Sequence, residues 1–150
     1  MTFEEKSTWV SVAVSVLAVV AYSTFVLRQM SNVPVVEIAY QWPMLVSVGA
    51  MVLMTIVGTI LMSIGTAISA SLAGRASVND MDRKDERDDQ INSRGELVGY
   101  YFSSAGILGV LALAMLRYDQ FWIANALYLT LVAGGLLSAA AKLVAYRRGF

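Results

Sequence analysis

Charge is absent from four long stretches of the chain. The uncharged runs lie between Lys6 and Arg28, Glu37 and Arg75, Glu96 and Arg117, and Asp119 and Lys142, and hold 21, 37, 20 and 22 residues. At about 1.5 Å per helical residue, some 20 residues cross a hydrocarbon core of roughly 30 Å. The pattern therefore predicts an all-α integral membrane four-helix bundle, a single transmembrane domain over 1–150. The expected helices cover about 7–28, 38–73, 96–117 and 119–146, with a charged loop over 75–96. The first span is expected to be retained as a helix, because the preceding MTFEEK is acidic on balance and no A-x-A-like cleavage site follows the apolar stretch.

The second run is longer than a crossing needs. Wholly helical, it would reach about 55 Å, nearly twice the hydrocarbon thickness. Pro43 suits a first helical turn, where its missing N–H costs nothing. A crossing that starts there ends near Ser63 and leaves the weakly apolar Ile64 to Gly74, IGTAISASLAG. That remainder is expected to extend helix 2 past the membrane interface and to stop near Gly74, a suitable C-cap.

Composition agrees with the pattern: 57% of residues are apolar, 15% are charged, and the mean hydropathy is +0.63 with zero formal net charge. Soluble domains carry about 25% charged residues. An ordinary globular domain, a disordered chain and a basic nucleic-acid binder are all excluded. Cysteine and histidine are absent. Disulfides, thiolate nucleophiles, Ser-His triads, His-ligated haem and Cys/His zinc sites cannot form within this chain, so no cofactor is expected. Any metal would have to accept oxygen ligands, which limits it to magnesium, calcium or manganese.

Four crossings put both termini on one side. That side carries nine basic residues: Lys6, Arg75, Arg83, Lys84, Arg87, Arg94, Lys142, Arg147 and Arg148. The other carries Arg28 and Arg117. By the positive-inside rule the termini and the long loop are expected to be cytoplasmic, in a cytoplasmic (inner) membrane. Aromatic residues fit the same orientation as interfacial anchors, with Tyr40, Trp42, Tyr118, Phe121 and Trp122 at the outer face and Trp9, Tyr100, Tyr101 and Tyr146 at the inner.

The most distinctive segment is Arg75 to Glu96, RASVNDMDRKDERDDQINSRGE, with seven acids and five bases. Helical pairs are available between Asp80 and Lys84, Arg83 and Glu86, and Lys84 and Asp88, each contributing about 0.2–0.5 kcal/mol. Asn79 or Asp80 could N-cap a helix that runs into the third span. Three readings stay open. The segment is a solvated loop whose bases set topology, or a docking surface for a partner, or a divalent-cation site built from Asp85, Glu86, Asp88 and Asp89. The last lacks the spacing of an EF-hand loop. As a docking surface, the residues that would touch the partner are Asp80, Asp82, Arg83, Lys84, Asp85, Glu86, Arg87, Asp88, Asp89 and Arg94.

The run DERDDQI followed by SRGELVGYY, leading into a transmembrane helix, resembles a widespread family of small prokaryotic membrane proteins of unknown function. Its members have four helices and a DERD-type motif just before the third. The match covers Asp85 to Asp88, Ile91, Arg94 and the Tyr100–Tyr101 pair. The resemblance implies prokaryotic origin and architecture, and it supplies no catalytic residue.

Within the spans no ionisable side chain is expected, which argues against proton-coupled export of the kind that relies on an embedded glutamate. Asn125 is the deepest strongly polar side chain and is expected to hydrogen-bond a neighbouring helix. Small residues recur at four-residue spacing, including Gly99 with Ser103, and Thr130, Gly134 and Ser138. Gly58, Ser63, Gly65, Gly109, Asn125, Gly134, Gly135 and Ser138 are the expected helix-packing positions, within the bundle, in a homo-oligomer or against another membrane protein. The leading functional expectation is a non-enzymatic interaction protein, an accessory subunit or regulator that uses the charged hairpin. The alternative is a small oligomeric channel or carrier for neutral or weakly charged solutes, lined by helix 2 hydroxyls and Asn125.

Overall fold

The structure, a computed structural model, describes residues 3–72 and 86–148. Within them the chain is helical: α1 spans Phe3–Met30, α2 Gln41–Leu72, α3 Glu86–Met115 and α4 Gln120–Arg148, with a 3-10 turn at Val35–Glu37. No strand occurs among the described residues. Each α-helix contains a segment long and apolar enough to cross a membrane, namely Ser7–Met30, Gln41–Gly65, Asp89–Met115 and Gln120–Arg147. The chain is by that measure a multi-pass membrane protein.

Helix boundaries differ from expectation where polar residues continue a helix. The expected start of the first helix at 7 moves back to Phe3, because the polar FEEK run is already helical. The second starts at Gln41 rather than 38, since Ile38 is extended and closes the 3-10 turn. Pro43 falls within its first turn, and α2 then runs seven residues beyond Gly65 to Leu72. Gly74 and the candidate N-caps Asn79 and Asp80 lie outside the described residues. The largest difference from the expected bounds is in α3, which is helical from Glu86 instead of 96, in keeping with the alternative of a helix that runs into the third span. The end of the expected loop over 75–96 is therefore helix. Its residues include no proline, and an unbroken helix satisfies the backbone as the chain enters the apolar layer.

Two connections fix the far ends of the helices. After α1, the Arg28 carbonyl accepts hydrogen bonds from the Ser31 hydroxyl and the Asn32 amide, and the Ala39 N–H donates to Gln29 Oε1 at 3.1 Å. After α3, Tyr118 N–H returns to the Leu113 carbonyl and Arg117 N–H to that of Ala114, both at 3.1 Å, with Arg117 at φ 58°. This is a Schellman stop with arginine where glycine is usual.

Packing is concentrated at one interface. The α3–α4 contact is the most extensive, followed by α1–α2 and then α1–α4, so contacts thread the helices in the order α2–α1–α4–α3. The α2–α3 side of a closed bundle carries little contact among the described residues. Between α3 and α4 the backbones lie very close. A Cβ on Gly99 would stand 2.7 Å from the Gly134 carbonyl oxygen and 2.9 Å from Ser138 Cβ. One on Gly134 would overlap the Ser103 hydroxyl, one on Gly106 the Thr130 side chain, and one on Gly95 the stem of Lys142. Two four-residue stripes thus meet antiparallel: Gly95, Gly99 and Ser103 on α3 against Thr130, Gly134, Ser138 and Lys142 on α4. Between α1 and α2 the comparable point is Gly58, whose Cβ would stand 3.0 Å from Val10 Cγ1.

Gly109 gives the internal control, because nothing lies within 4 Å of a Cβ placed there. Gly99→Ala should lower stability by about 1–3 kcal/mol through overpacking against backbone, whereas Gly109→Ala should leave it unchanged or slightly raised, as alanine favours helix. Thermal unfolding of the two variants in one detergent measures the difference. Equal stabilities would contradict the close approach.

Candidate functional site

The charged segment enters the structure through the start of α3. Asp80, Asp82, Arg83, Lys84 and Asp85 lie outside the described residues, and Glu86, Arg87 and Asp88 are placed by backbone position in the first turn. Asp89 and Arg94 follow on the same helix with exposed side chains. Of the four carboxylates weighed for a cation, only the Asp89 side chain is described. Ile91 is 3% exposed, and Gly95 and Gly99 are buried, so the charged start of α3 is seated on the rest of the protein along that face.

Lys142 completes the seat. Its stem crosses Gly95, and its Nζ donates to Glu96 Oε1 at 3.3 Å. The lysine side chain is only 17% exposed while that of Glu96 is 71% exposed. The pair is therefore screened on the carboxylate side, and most of what Lys142 contributes is the packing of its methylenes. Beside it, Ser7, Thr8 and Ser11 of α1, Asn92 of α3 and Ser138 of α4 join Lys142 around a polar hollow of about 230 Å³. The beginnings of α1 and α3 and the last turns of α4 consequently share one end of the molecule.

The opposite half is held by a polar and aromatic string. The Tyr22 hydroxyl donates to Asn125 Oδ1 at 2.7 Å, and Asn125 Nδ2 donates back to the Phe121 carbonyl at 2.8 Å. The Tyr22 and Tyr128 rings are tilted at a centroid distance of 4.8 Å. The Tyr128 and Ser47 hydroxyls are 2.7 Å apart, tying α4 to α2, and Ser47 also reaches the Ala18 carbonyl at 3.4 Å. Tyr40 packs edge-on to Phe121, which is 4% exposed and so belongs to the core instead of the interfacial belt. These groups are mutually satisfied donors and acceptors, an arrangement suited to fixing helices.

The expected packing positions divide in two. Gly58, Gly134, Ser138 and Asn125 lie at contacts between helices. Gly65, Gly109 and Gly135 have nothing within 4 Å of a Cβ, and Ser63 is exposed. Gly95, Gly106, Tyr22, Tyr128 and the Glu96–Lys142 pair also lie at contacts between helices, where the sequence pattern does not single them out. Gly95, Gly99 and Ser103 share a four-residue spacing, but a third span bounded by the charge of Glu96 cuts Gly95 away from its stripe.

Comparison with protein-family models, with curated proteins and with solved structures finds no match in any of the three. The geometry alone therefore carries the functional reading.

A double-mutant cycle tests the deepest polar contact. Tyr22→Phe and Asn125→Leu should couple by about 0.6–1.7 kcal/mol, the range of interhelical hydrogen bonds in membranes. Strictly additive losses in thermal stability would show that the two groups do not meet.

Proposed function

We propose that this chain is a small polytopic interaction protein, an accessory subunit or regulator without catalytic activity of its own. Its charged segment, Asp80 to Arg94, is the surface that engages the partner. The protein sits in a prokaryotic cytoplasmic (inner) membrane with both termini and this segment on the cytoplasmic side, as the excess of basic residues there favours. The prokaryotic assignment rests on the resemblance carried by Asp85 to Asp88, Ile91, Arg94 and Tyr100–Tyr101.

The observation that supports this reading is the seating of α3. Charged residues emerge from the membrane layer on a continuous helix clamped by Ile91, Gly95, Gly99 and Lys142. Asp89 and Arg94 are held out on a rigid support, where recognition loses less ordering entropy than on a free loop. The open faces at Gly65 and Gly109 are surfaces on which a second copy or another membrane helix can pack, which fits an oligomer or a subunit.

Two of the polar groups that a hydroxyl-lined pore would use are engaged elsewhere. Thr55 donates to the Met51 carbonyl at 2.7 Å, and Asn125 is bonded to Tyr22 and to the Phe121 carbonyl. This favours interaction over transport.

The test is a charge reversal within the segment, Asp85→Lys with Asp88→Lys and Asp89→Lys, followed by gentle solubilisation of native membranes. Helicity and thermal stability should be retained, while the partner recovered with the unaltered chain is lost. Recovery of the same partner in the same amount would overturn the proposal.

A further inference from the structure

Two hollows flank the α3–α4 interface at its terminal end. The larger, a groove of about 590 Å³ on the outer flank, is walled by α3 and α4 alone among the described residues and is mostly apolar. The smaller, on the side toward α1, is the polar hollow of about 230 Å³. Three helices contribute to it: Ser7 and Ser11, about one turn apart on α1, Asn92 on α3, and Ser138 and Lys142, about one turn apart on α4. Its depth at the α4 wall comes from Gly135, where nothing lies within 4 Å of a Cβ. At about 30 Å³ for each water of the liquid, it has room for a phosphate-sized group together with several waters.

The polar groups here are disposed differently from those at the turn end. There Tyr22, Ser47, Asn125 and Tyr128 bond one another, whereas among the described residues the side chains of Ser7, Ser11, Asn92 and Ser138 bond no other protein group. Three hydroxyls and a carboxamide therefore converge with donors to spare, and the one charged side chain in the described lining is Lys142. Lys142 keeps its bond to Glu96, which uses one of the three N–H donors of an ammonium. The carboxylate is 71% exposed and the lysine side chain 17%, so water screens the acid far more than the ammonium, and an exposed partner of this kind binds weakly. Asp89, about a turn before Asn92, is also exposed and stands outside the lining. The hollow thus keeps a positive pole ringed by neutral donors. A group that takes up several donors, one of them cationic, within this volume is an oxyanion, and phosphate has enough oxygens to engage all three helices. The level in the membrane agrees, since Lys142 closes the fourth uncharged run and Glu96 opens the third, where the hydrocarbon layer gives way to headgroups. We propose that this hollow is a binding site for a phosphate group, held by Lys142 Nζ with Ser7, Ser11, Asn92 and Ser138 as neutral donors. None of the five is among the residues proposed to touch the partner, so the site is independent of that reading.

Two probes test it on the purified full chain in an uncharged, phosphate-free detergent: calorimetric titration with inorganic phosphate, and native mass spectrometry with phosphatidic acid against diacylglycerol of the same acyl chains. At least one phosphate-bearing probe should bind at one site per chain. Lys142→Met, which keeps a stem across Gly95, should weaken that binding by about tenfold or more, as loss of a hydrogen bond to a charged group does. Ser11→Ala combined with Ser138→Ala should weaken it by about fivefold while thermal stability stays the same. Glu96→Gln separates a binding lysine from one that only joins two helices, because removing the competing acceptor should tighten binding by about threefold. Retention of phosphatidic acid over diacylglycerol would place the phosphate on a lipid, and binding of inorganic phosphate without that preference would make the ligand a soluble one. A chain that binds neither probe would overturn the site and leave the hollow to water. Binding that is unchanged by Lys142→Met, or weakened by Glu96→Gln, would overturn it equally.

Discussion

Helices surrounded by lipid gain little from burying apolar side chains against each other, because the acyl chains they leave are equally apolar. What remains is the distance at which backbones can meet. In this protein that distance is shortest between α3 and α4, where Gly99 faces the carbonyl of Gly134 and Ser103 occupies the space a side chain on Gly134 would need. The rest of the terminal end follows from it. Lys142 can lie across Gly95 and reach Glu96 only because residue 95 has no side chain, and the groove on the outer flank exists because alanines and a glycine line both walls.

The two halves of the molecule are held by different means. At the turn end, hydrogen bonds and rings join Tyr22, Ser47, Asn125 and Tyr128 across three helices, and a short ordered turn covers them. At the terminal end, close backbone approach and a seated lysine hold α3 on α4 while α2 runs on with its sides open. A rigid base with polar residues leaving it suits recognition. It also explains how a chain with zero net charge can carry a strongly patterned sequence: the uncharged runs contribute nothing, and most acids and bases are gathered in the segment Arg75 to Glu96 and near the two ends of the chain.

Much of this was legible in the residues. The spacing of charges located four spans, because a charge inside hydrocarbon is costly whatever the tertiary context. The pairing of Gly99 and Ser103 with Thr130, Gly134 and Ser138 could be suspected from four-residue spacing. What sequence could not decide was which of several small stripes turns inward: Gly134 is buried in an interface while Gly135, its neighbour, faces open space. A small residue looks alike on both sides of a helix. Charge marks a span boundary at Glu96 and leaves open whether the residues before it are loop or a helix running into the third span; Glu86 to Glu96 are helix, since charge and helix are compatible outside the hydrocarbon layer. Phe121 reads as an anchor because aromatic residues near an interface have two fates, and its burial against Tyr40 distinguishes them.

The close approach of α3 and α4 can be measured directly in this cysteine-free chain. A Cβ on Gly134 would stand 3.3 Å from Ser103 Cβ, close to the separation of about 3.5–4.5 Å found across disulfides. With cysteines placed at 103 and 134, mild oxidation of the protein in membranes should form an intramolecular disulfide, seen as loss of both alkylation sites in the intact mass. A pair at 109 and 135, where neither glycine has a neighbour, should stay reduced. If the 103 and 134 thiols alkylated fully in a variant that kept the helicity and thermal stability of the unaltered chain, α3 and α4 would not meet as described, and the seat for the charged segment would be gone.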